Sequence, residues 1–253
     1  MTRITAVINQ KGGVGKTTTA HALATGLIHR GYNVLVVDAD PQGNLSYSLN
    51  ANTEQPGLYE AMKGEDEPLK IIQTTKQGDI IASSIYLAGA DMEFTASGRE
   101  YRIKETIESV NRNSKYDHII IDCPPALGIL TINALTACND VVVPIGADIF
   151  SLQGLQQLLN TINTVRKYSN NKIKLAGLLI TRKSNRAIAT RQLIEAIEKN
   201  VTNMEAQLYK IIIREGVAVK ETQIMQSSLF DSHTKAKVTA DYNAFIDEYL
   251  AQE

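Results

Sequence analysis

The sequence predicts an α/β fold in one domain, residues 1–253, with a mostly parallel, twisted sheet flanked by helices on both faces. Two observations predict it. First, short and almost continuously apolar runs alternate with amphipathic stretches from end to end, as is typical of parallel strands buried on both faces. Second, no linker, repeat or low-complexity tract interrupts this alternation, which favours a single domain.

The expected strands are short apolar runs, most of which end in a polar or turn residue. They cover Ile4–Asn9, Val34–Asp38, Asp79–Ala82, His118–Asp122, Asp140–Ile145, Leu175–Thr181 and Leu208–Arg214. The expected helices carry apolar residues at helical spacing. They cover Thr17–Arg30, Arg102–Asn111, Ile129–Ala137, Leu152–Tyr168, Ala187–Asn200 and Lys235–Ala251. Residues 50–70 and 84–100 are rich in polar and turn residues, so we expect peripheral loops there.

The composition is that of an ordinary soluble chain, with 43% hydrophobic and 21% charged residues. No apolar run approaches the roughly 18–20 residues that a membrane-spanning helix needs. Residues 1–8 are too short and too β-like a start for a signal peptide, so we expect a cytoplasmic protein. The only cysteines, Cys123 and Cys138, are expected to be free thiols in that reducing compartment.

Charge is distributed unevenly along the chain, although the net charge is only −1. Residues 161–240 carry an excess of positive charge, whereas the segments on either side are acidic. A basic segment of this kind is typical of proteins that contact a polyanion. It is equally compatible with a solvated basic face.

A glycine-rich turn between the first expected strand and the first expected helix predicts a phosphate-binding loop, and with it a P-loop NTPase fold. Its glycines accept positive φ, so successive backbone N–H groups can turn inward, and the helix start adds a positive dipole end. We expect Lys16 to reach the β- and γ-phosphates and Thr17 to ligate Mg²⁺. The expected nucleotide-binding residues of the loop are Lys11, Gly12, Gly13, Val14, Gly15, Lys16, Thr17 and Thr18.

The loop departs from the common pattern G-x-x-x-x-G-K-[ST] in two ways. Gln10 occupies the first glycine position, and a second lysine, Lys11, stands at the start of the loop. One lysine suffices for the phosphates, so Lys11 needs another explanation. It is either an exposed charge or a cation that reaches the nucleotide of a second subunit and stabilises charge on a transferring phosphoryl group.

Acidic residues follow two of the expected buried strands. Asp38 and Asp40 lie at the end of one, and Asp122 ends another. Because ligands of parallel α/β sheets bind at the carboxyl ends of strands, these residues should lie near the phosphate loop. We expect Asp122 to hold Mg²⁺ through water, and Asp40 to orient the attacking water beside the metal. Asp38 either anchors the local structure or lies near the metal.

Four segments together resemble the ParA/Soj partition ATPases, which belong to the deviant Walker ATPases. They are K-G-G-V-G-K-T-T-T, V-D-A-D-P-Q-G-N, I-I-D-C-P-P-A-L-G-I-L-T-I-N-A-L and D-Y-N-A-F-I-D-E-Y. The similarity extends from about residue 3 to the C-terminus and is strongest before residue 160. These motifs in this order are highly specific to the family.

The resemblance implies ATP and Mg²⁺ as cofactors and an ATP-dependent sandwich homodimer. Lys11 would contact the phosphates bound to the other subunit, and Gly12 marks a position where crowding would block dimer closure. Lys16 would be needed for ATP binding and Asp40 for hydrolysis, so the implied catalytic residues are Lys11, Lys16 and Asp40. Turnover is expected to be slow without a partner.

The resemblance also implies that ATP-bound dimers bind DNA non-specifically on the nucleoid, and that a ParB-type centromere-binding protein stimulates hydrolysis and releases them. The family's DNA-contacting arginine aligns with Arg186, near Arg182, Lys183 and Arg191. Such side chains give sequence-independent, salt-sensitive contacts to phosphates. Arg182 and Lys183 replace residues that are apolar or neutral in relatives. They either strengthen the DNA contact or, in the case of Arg182, touch the adenine.

The segment from Ile213 to Val217 aligns with one that helps to wall the adenine pocket in relatives. Many relatives have Pro-Arg-Asn where this chain has Ile213, Arg214 and Glu215. Ile213 and Glu215 are therefore the expected nucleotide contacts of this segment, although both depart from the pattern of the family.

Two related functions fit the sequence less well. A membrane-positioning ATPase like MinD ends in a basic amphipathic helix, whereas residues 241–253 contain acidic residues and no lysine or arginine, so no membrane partner is expected. A nitrogenase-type iron–sulfur reductase holds its cluster with two cysteines from each subunit. Cys123 and Cys138 do not match those positions and favour the core. Positioning of another cargo stays an alternative because it uses the same machinery.

No DNA-binding domain precedes the first expected strand. Larger plasmid relatives carry such a domain and repress their own operons. Binding to a specific operator is therefore not expected, and the chain is similar to the short, chromosome-type form of the family.

Overall fold

A computed structural model describes residues 2–112, 115–146, 150–183 and 207–252. The strands are Arg3–Val7 (β1), Val34–Asp38 (β2), Ile72–Thr75 (β3), Gly78–Ile81 (β4), His118–Asp122 (β5), Asp140–Gly146 (β6), Lys174–Lys183 (β7) and Leu208–Arg214 (β8). They form one eight-stranded sheet in the order β3-β4-β2-β5-β1-β6-β7-β8. Every neighbouring pair is parallel except β3 and β4, which pair antiparallel at one edge. The predicted mostly parallel sheet is confirmed.

Helices cover both faces of this sheet. They are Lys16–His29 (α1), Asn44–Ser48 (α2), Leu58–Lys63 (α3), Ala90–Glu93 (α4), Arg102–Val110 (α5), Ile129–Ala137 (α6), Phe150–Tyr168 (α7), Val217–Met225 (α8), Leu229–Ser232 (α9) and Lys237–Leu250 (α10). Val34 and Val36 enter the core beneath α1 and α10, whereas Leu35 and Val37 enter the core beneath α5, α6 and α7. Two cores explain why the strands are apolar at successive positions.

Four predicted elements have the observed bounds, namely Val34–Asp38, His118–Asp122, Ile129–Ala137 and Leu208–Arg214. The other predicted elements that fall on described residues differ from the structure by two residues or fewer at either end. Helix and strand ends commonly shift by this much. The expected helix at Ala187–Asn200 lies outside the described residues.

The expectation that residues 50–70 and 84–100 are rich in peripheral loops is correct only in part. The first segment contains α3, which buries Leu58 and Met62. The second contains a 3₁₀ turn at Ile85–Gly89 and then α4, and it buries Leu87 and Ala90. These elements span only four to six residues each. They are therefore too short to show the periodicity from which a helix is predicted.

Four further elements, β3, α2, α8 and α9, were not expected from the sequence. Strand β3 lies at the sheet edge and has no buried residue, and Thr222 is the only buried residue of α8. Elements with so little buried surface carry a weak hydrophobic pattern. Cys123 and Cys138 are both buried and free, as expected. None of the helices in the described ranges is long and apolar enough to cross a bilayer.

Candidate functional site

The phosphate loop connects β1 to α1, which begins at Lys16. Gly13 and Gly15 have φ values of 72° and 84°, the left-handed conformation in which a Cβ is strained. The predicted tight turn is therefore present. Gly12 differs from the expectation because its φ is not positive. It is exposed instead, and a Cβ added there would meet nothing within 4 Å among the described residues.

Neighbouring strand ends hold the loop in place. The Thr181 hydroxyl donates to the backbone oxygen of Val14 at 2.7 Å. Asn9 accepts from the backbone N–H of Lys11 at 2.9 Å and donates to the backbone oxygen of Pro144 at 2.7 Å. The loop is thus tied to the ends of β6 and β7, so its backbone N–H groups are oriented before a ligand arrives.

Lys16 lies beneath the loop and is only 6% exposed. Its Nζ donates to the backbone oxygen of Lys11 at 3.1 Å. Burial lowers the pKa of Lys16, and the negative charges of Asp122 and Asp40 oppose that shift. The ammonium group therefore lies between the loop backbone and two strand-end carboxylates, in a position to bind phosphate oxygens.

Asp122 ends β5 and is fully buried. Neither of its carboxylate oxygens has a hydrogen-bond partner within the described part of the chain. Burial raises the pKa of Asp122 well above its usual value, and repulsion from Asp38 adds to the shift, while Thr17 and Lys16 oppose it. A buried carboxyl group without hydrogen bonds is costly. A cation at this position would remove that cost.

Asp38 is the neighbour of Asp122 across the β2–β5 pair, but its surroundings differ. It accepts hydrogen bonds from the backbone N–H and the hydroxyl of Ser46, each at 2.7 Å, and from the N–H of Asp40 at 3.2 Å. Burial raises the pKa of Asp38 to about 6, although the bonds from Ser46 oppose the shift. Of the two interpretations for Asp38, the geometry favours a structural anchor for the turn after β2.

Asp40 follows in that turn and is 6% exposed. Its Oδ1 accepts from the backbone N–H of Gln42 at 3.0 Å, and its backbone oxygen accepts from the Ser83 hydroxyl at 2.5 Å. These bonds fix its direction. Asp40 lines the same cavity as Lys16 and Thr17, so the structure brings together the carboxylate and the loop as predicted.

A cavity of about 740 Å³ opens at this edge of the sheet, with the phosphate loop at its floor. Its size is in the range of small-molecule and cofactor sites. The sequence analysis missed the following lining residues: Gln42, Asn44, Tyr47, Ser48, Pro125, Thr181, Arg214, Gly216, Val219, Lys220, Gln223, Ile224 and Tyr242. They come from α2, α8, α10 and the ends of strands, segments that are distant from one another in sequence. Six of them, Gln42, Asn44, Pro125, Arg214, Gly216 and Tyr242, lie in segments that the sequence analysis quoted, although none was predicted to line the site.

Arg182 lies at the end of β7 with a φ of 54°, a conformation that is uncommon for a residue with a side chain. Its Nη1 donates to the backbone oxygen of Gly13 at 2.7 Å, and its Nη2 lies 3.4 Å from Oε1 of Glu215. Both partners line the cavity, as does Ile213. Of the two interpretations for Arg182, the geometry favours the one in which it faces the nucleotide.

The other residues predicted to bind DNA are not placed at this site. Lys183 ends β7, and Arg186 and Arg191 lie outside the described residues. Their assignment stays a prediction.

The residues around Asp122 fit a magnesium ion. Asp122 has two buried oxygens without partners among the described residues, and the nearby Thr17 lines the cavity. No group of three or more His, Cys, Asp or Glu side chains in the described ranges could hold a metal. Mg²⁺ usually binds one or two carboxylates together with waters and substrate phosphates. A nucleotide would therefore have to complete this site.

Comparison with known sequences agrees with this geometry. The sequence model of a family described as an AAA domain matches residues 2–175. Sporulation initiation inhibitor protein Soj of Bacillus subtilis (strain 168) is 42% identical over 227 residues, which cover 87% of each chain. Chromosome partitioning protein ParA of Caulobacter vibrioides is 38% identical over 225 residues, 87% of this chain and 83% of its own length.

Solved structures show the same fold. Cobyrinic acid a,c-diamide synthase from Mycobacterium smegmatis with bound ADP and magnesium is 33% identical, with a TM-score of 0.86 and coverage of 100% of this chain and 95% of its own. A plasmid partition protein from Borrelia burgdorferi has a TM-score of 0.80 at 22% identity, and the match covers 100% of this chain and 99% of the Borrelia chain. At this identity the similarity supports the fold alone. Together with the curated relatives, the phosphate loop and the strand-end carboxylates show that the chain belongs to the ParA/Soj family of partition ATPases.

Proposed function

We propose that this protein binds ATP and Mg²⁺ in the cavity and hydrolyses ATP slowly, as a switch for DNA partition. The ATP-bound form is a sandwich homodimer that binds DNA non-specifically, and a ParB-type partner stimulates hydrolysis and releases it. One observation carries the nucleotide part of the proposal: the buried carboxyl group of Asp122 has no hydrogen-bond partner among the described residues and lies beside the end of β1, which leads into the phosphate loop. A Mg²⁺–nucleotide complex accounts for that arrangement.

In this proposal the phosphate loop and the nearby side chains have separate roles. The N–H groups of the loop and the start of α1 bind the phosphate chain. Lys16 donates to the β- and γ-phosphate oxygens, because its ammonium already lies beneath the loop. Thr17, Asp122 and Asp40 hold Mg²⁺ directly or through water. The ion supplies positive charge that neutralises the phosphate oxygens.

Asp40 orients the attacking water. Its carboxylate is buried in the cavity wall and one oxygen is fixed by the N–H of Gln42. A fixed carboxylate can accept a hydrogen bond from a water molecule and hold it in line with the γ-phosphate. Hydrolysis then depends on Asp40, whereas phosphate binding depends on the loop.

Dimerisation is proposed to use the outer side of the loop. Lys11 is partly exposed at its start, and its backbone is fixed by Asn9, so its side chain can extend toward a second subunit. Gly12 is exposed, and a Cβ there would meet none of the described residues within 4 Å. A larger residue there would be tolerated within one subunit, so any effect on closure would arise from the partner subunit.

DNA binding is proposed to use the basic segment, with Arg186 as its main contact and Lys183 and Arg191 beside it. Curated relatives named Soj and ParA support a role in partition. Contacts from lysine and arginine to phosphates release counterions, so the affinity should fall steeply as salt rises. The proposed location is the nucleoid within the cytoplasm.

DNA binding with ATP, with ADP and without nucleotide, each at two salt concentrations, tests the proposal. We expect binding that requires ATP and weakens at higher salt. Arg186→Ala should weaken it while ATP-dependent dimerisation, followed by sedimentation, persists. Lys63→Ala is a matched control, because Lys63 forms an exposed pair with Glu65 away from the cavity. DNA binding that is independent of the nucleotide would contradict the switch, and unchanged affinity in Arg186→Ala would remove Arg186 from the DNA surface.

A further inference from the structure

The start of the C-terminal helix contains a buried acidic residue that the proposed function does not use. Asp241 belongs to the D-Y-N-A-F-I-D-E-Y segment, lies in α10 and is only 3% exposed. Most buried carboxylates need a specific partner to offset the loss of hydration. The hydrogen-bond partner of Asp241 therefore indicates which part of the protein this carboxylate stabilises.

All three hydrogen bonds found for Asp241 come from one residue, Arg214. The Arg214 Nε donates to Oδ2 at 2.6 Å, its Nη2 donates to Oδ1 at 2.7 Å, and its backbone N–H donates to Oδ2 at 3.0 Å. The bidentate pair fixes the plane of the guanidinium, and it raises the pKa of Arg214. The backbone bond fixes the point at which β8 ends.

Arg214 is the last residue of β8 and lines the cavity together with Ile213 and Glu215. In the sheet order, β8 is three strands away from β1, which leads into the phosphate loop. With strands spaced about 4.8 Å apart, this distance is about 14 Å. Phosphates bound at the loop lie at the other end of the cavity, so the β8 end faces the base and ribose.

We propose that Asp241 is a positioning residue for the nucleoside end of the site, acting through Arg214; this inference rests on the proposed nucleotide site. Arg214 is about half exposed, with a side-chain value of 47%, and its Nη1 has no hydrogen-bond partner among the described residues. Asp241 holds the guanidinium so that its remaining N–H groups donate to acceptor atoms of the base or ribose. It also fixes the backbone that leads into Glu215 and Gly216.

The same helix provides a matched control. Asp247 also pairs with an arginine, since its Oδ1 lies 2.8 Å from Nη2 of Arg30. Its side chain is 69% exposed, and neither residue lines the cavity. Asp247→Asn therefore removes an aspartate–arginine pair from α10 without touching the nucleotide site.

The test uses full-length Asp241→Asn, Arg214→Ala, the double variant and Asp247→Asn. Binding of Mg²⁺–ADP, KM and kcat for ATP, and thermal unfolding are measured for each. We expect Asp241→Asn and Arg214→Ala to weaken ADP binding and raise KM by about tenfold, the size typical of one charged hydrogen bond, with kcat within about twofold of the wild type. The double variant should be no worse than Arg214→Ala, because both changes remove one interaction. Asp247→Asn should bind as the wild type does.

Two outcomes would overturn the inference while leaving the proposed function intact. One is wild-type ADP affinity in Asp241→Asn or in Arg214→Ala. The other is a fall in kcat that parallels a fall in the unfolding temperature of the same variants, which indicates a purely structural role. If Asp241→Asn does not fold, Arg214→Ala decides the result alone. A wild-type protein that binds no nucleotide would overturn both the proposed function and this inference.

Discussion

The two ends of the cavity are constructed in opposite ways. The proposed phosphate end is lined by residues between positions 12 and 18 of one loop and helix start, and by Asp40 from the turn after β2. The buried Asp122 ends the adjacent strand β5. The proposed nucleoside end is assembled from Arg182, the Ile213–Gly216 segment and Asp241, which accepts three hydrogen bonds from Arg214. The first end is local in sequence, whereas the second exists only after β7, β8 and the last helix have packed.

This difference also separates chemistry from recognition. The phosphate end holds the groups that bind charge, and Asp122 there has no protein partner among the described residues. At the proposed nucleoside end two arginines are already paired with carboxylates, Arg182 with Glu215 and Arg214 with Asp241. We therefore expect substitutions at the phosphate end to have larger effects than substitutions at the nucleoside end.

The largest effect is expected from Lys16→Gln, which should weaken ATP binding by on the order of 100-fold. Lys16 is buried and would donate to two phosphates, and charged hydrogen bonds contribute about 1.5–3 kcal/mol each. Calorimetric titration with Mg²⁺–ATP measures the affinity, with the unfolding temperature as a check on folding. If the folded variant binds ATP normally, Lys16 does not bind the phosphates. The expectation that substitutions at the phosphate end have the larger effects would then be wrong.

Asp40→Ala should abolish most hydrolysis, by about 100-fold, while ATP binding persists. Loss of a group that positions the attacking water has this size of effect. The variant should stay as an ATP-bound dimer on DNA, which a gel shift with ATP would detect. Asp40→Asn is the matched variant, because its amide oxygen can still accept from the N–H of Gln42. If either variant hydrolyses ATP at the wild-type rate, Asp40 does not orient the water.

Lys11→Ala should lose ATP-dependent dimerisation, with at least a tenfold fall in hydrolysis, because a cation supplied by a second subunit is removed. ATP binding to the monomer should change much less than in Lys16→Gln. Sedimentation with ATP distinguishes monomer from dimer. If Lys11→Ala forms a normal dimer with ATP, Lys11 does not act on the nucleotide of a second subunit. The phosphate-binding groups would then all come from one chain.

The smallest effect is expected from Arg182→Ala, at the nucleoside end. Its pair with Glu215 is exposed and spans 3.4 Å, and exposed ion pairs contribute about 0.2–1 kcal/mol. ATP affinity should therefore fall about two- to fivefold. Lys63→Ala, which breaks another exposed pair, should leave the affinity unchanged. A loss as large as that of Lys16→Gln would show that recognition of the base, and not of the phosphates, dominates binding.

Much of the fold was predictable because the buried strands are apolar at every position. Val34–Asp38 and His118–Asp122 have their predicted bounds, since parallel strands covered on both faces leave no polar position within the run. The segments at residues 58–63 and 85–93 were not predictable, because these short elements owe their stability to contacts with the core. Strand β3 lies at the sheet edge with no buried residue and carries little hydrophobic signal.

At the site, the phosphate loop is recognisable from the amino-acid sequence alone, because Gly13, Gly15 and the lysine that follows act through the local backbone. The sequence also placed Asp38, Asp40 and Asp122 at strand ends. The packing of the strands sets which of these carboxyl groups accepts hydrogen bonds, as Asp38 does, and which has no partner among the described residues, as is the case for Asp122. The tertiary structure likewise directed Arg182 to the cavity and joined Asp241 to Arg214, since hydrogen bonds between residues distant in sequence depend on how strands and helices pack.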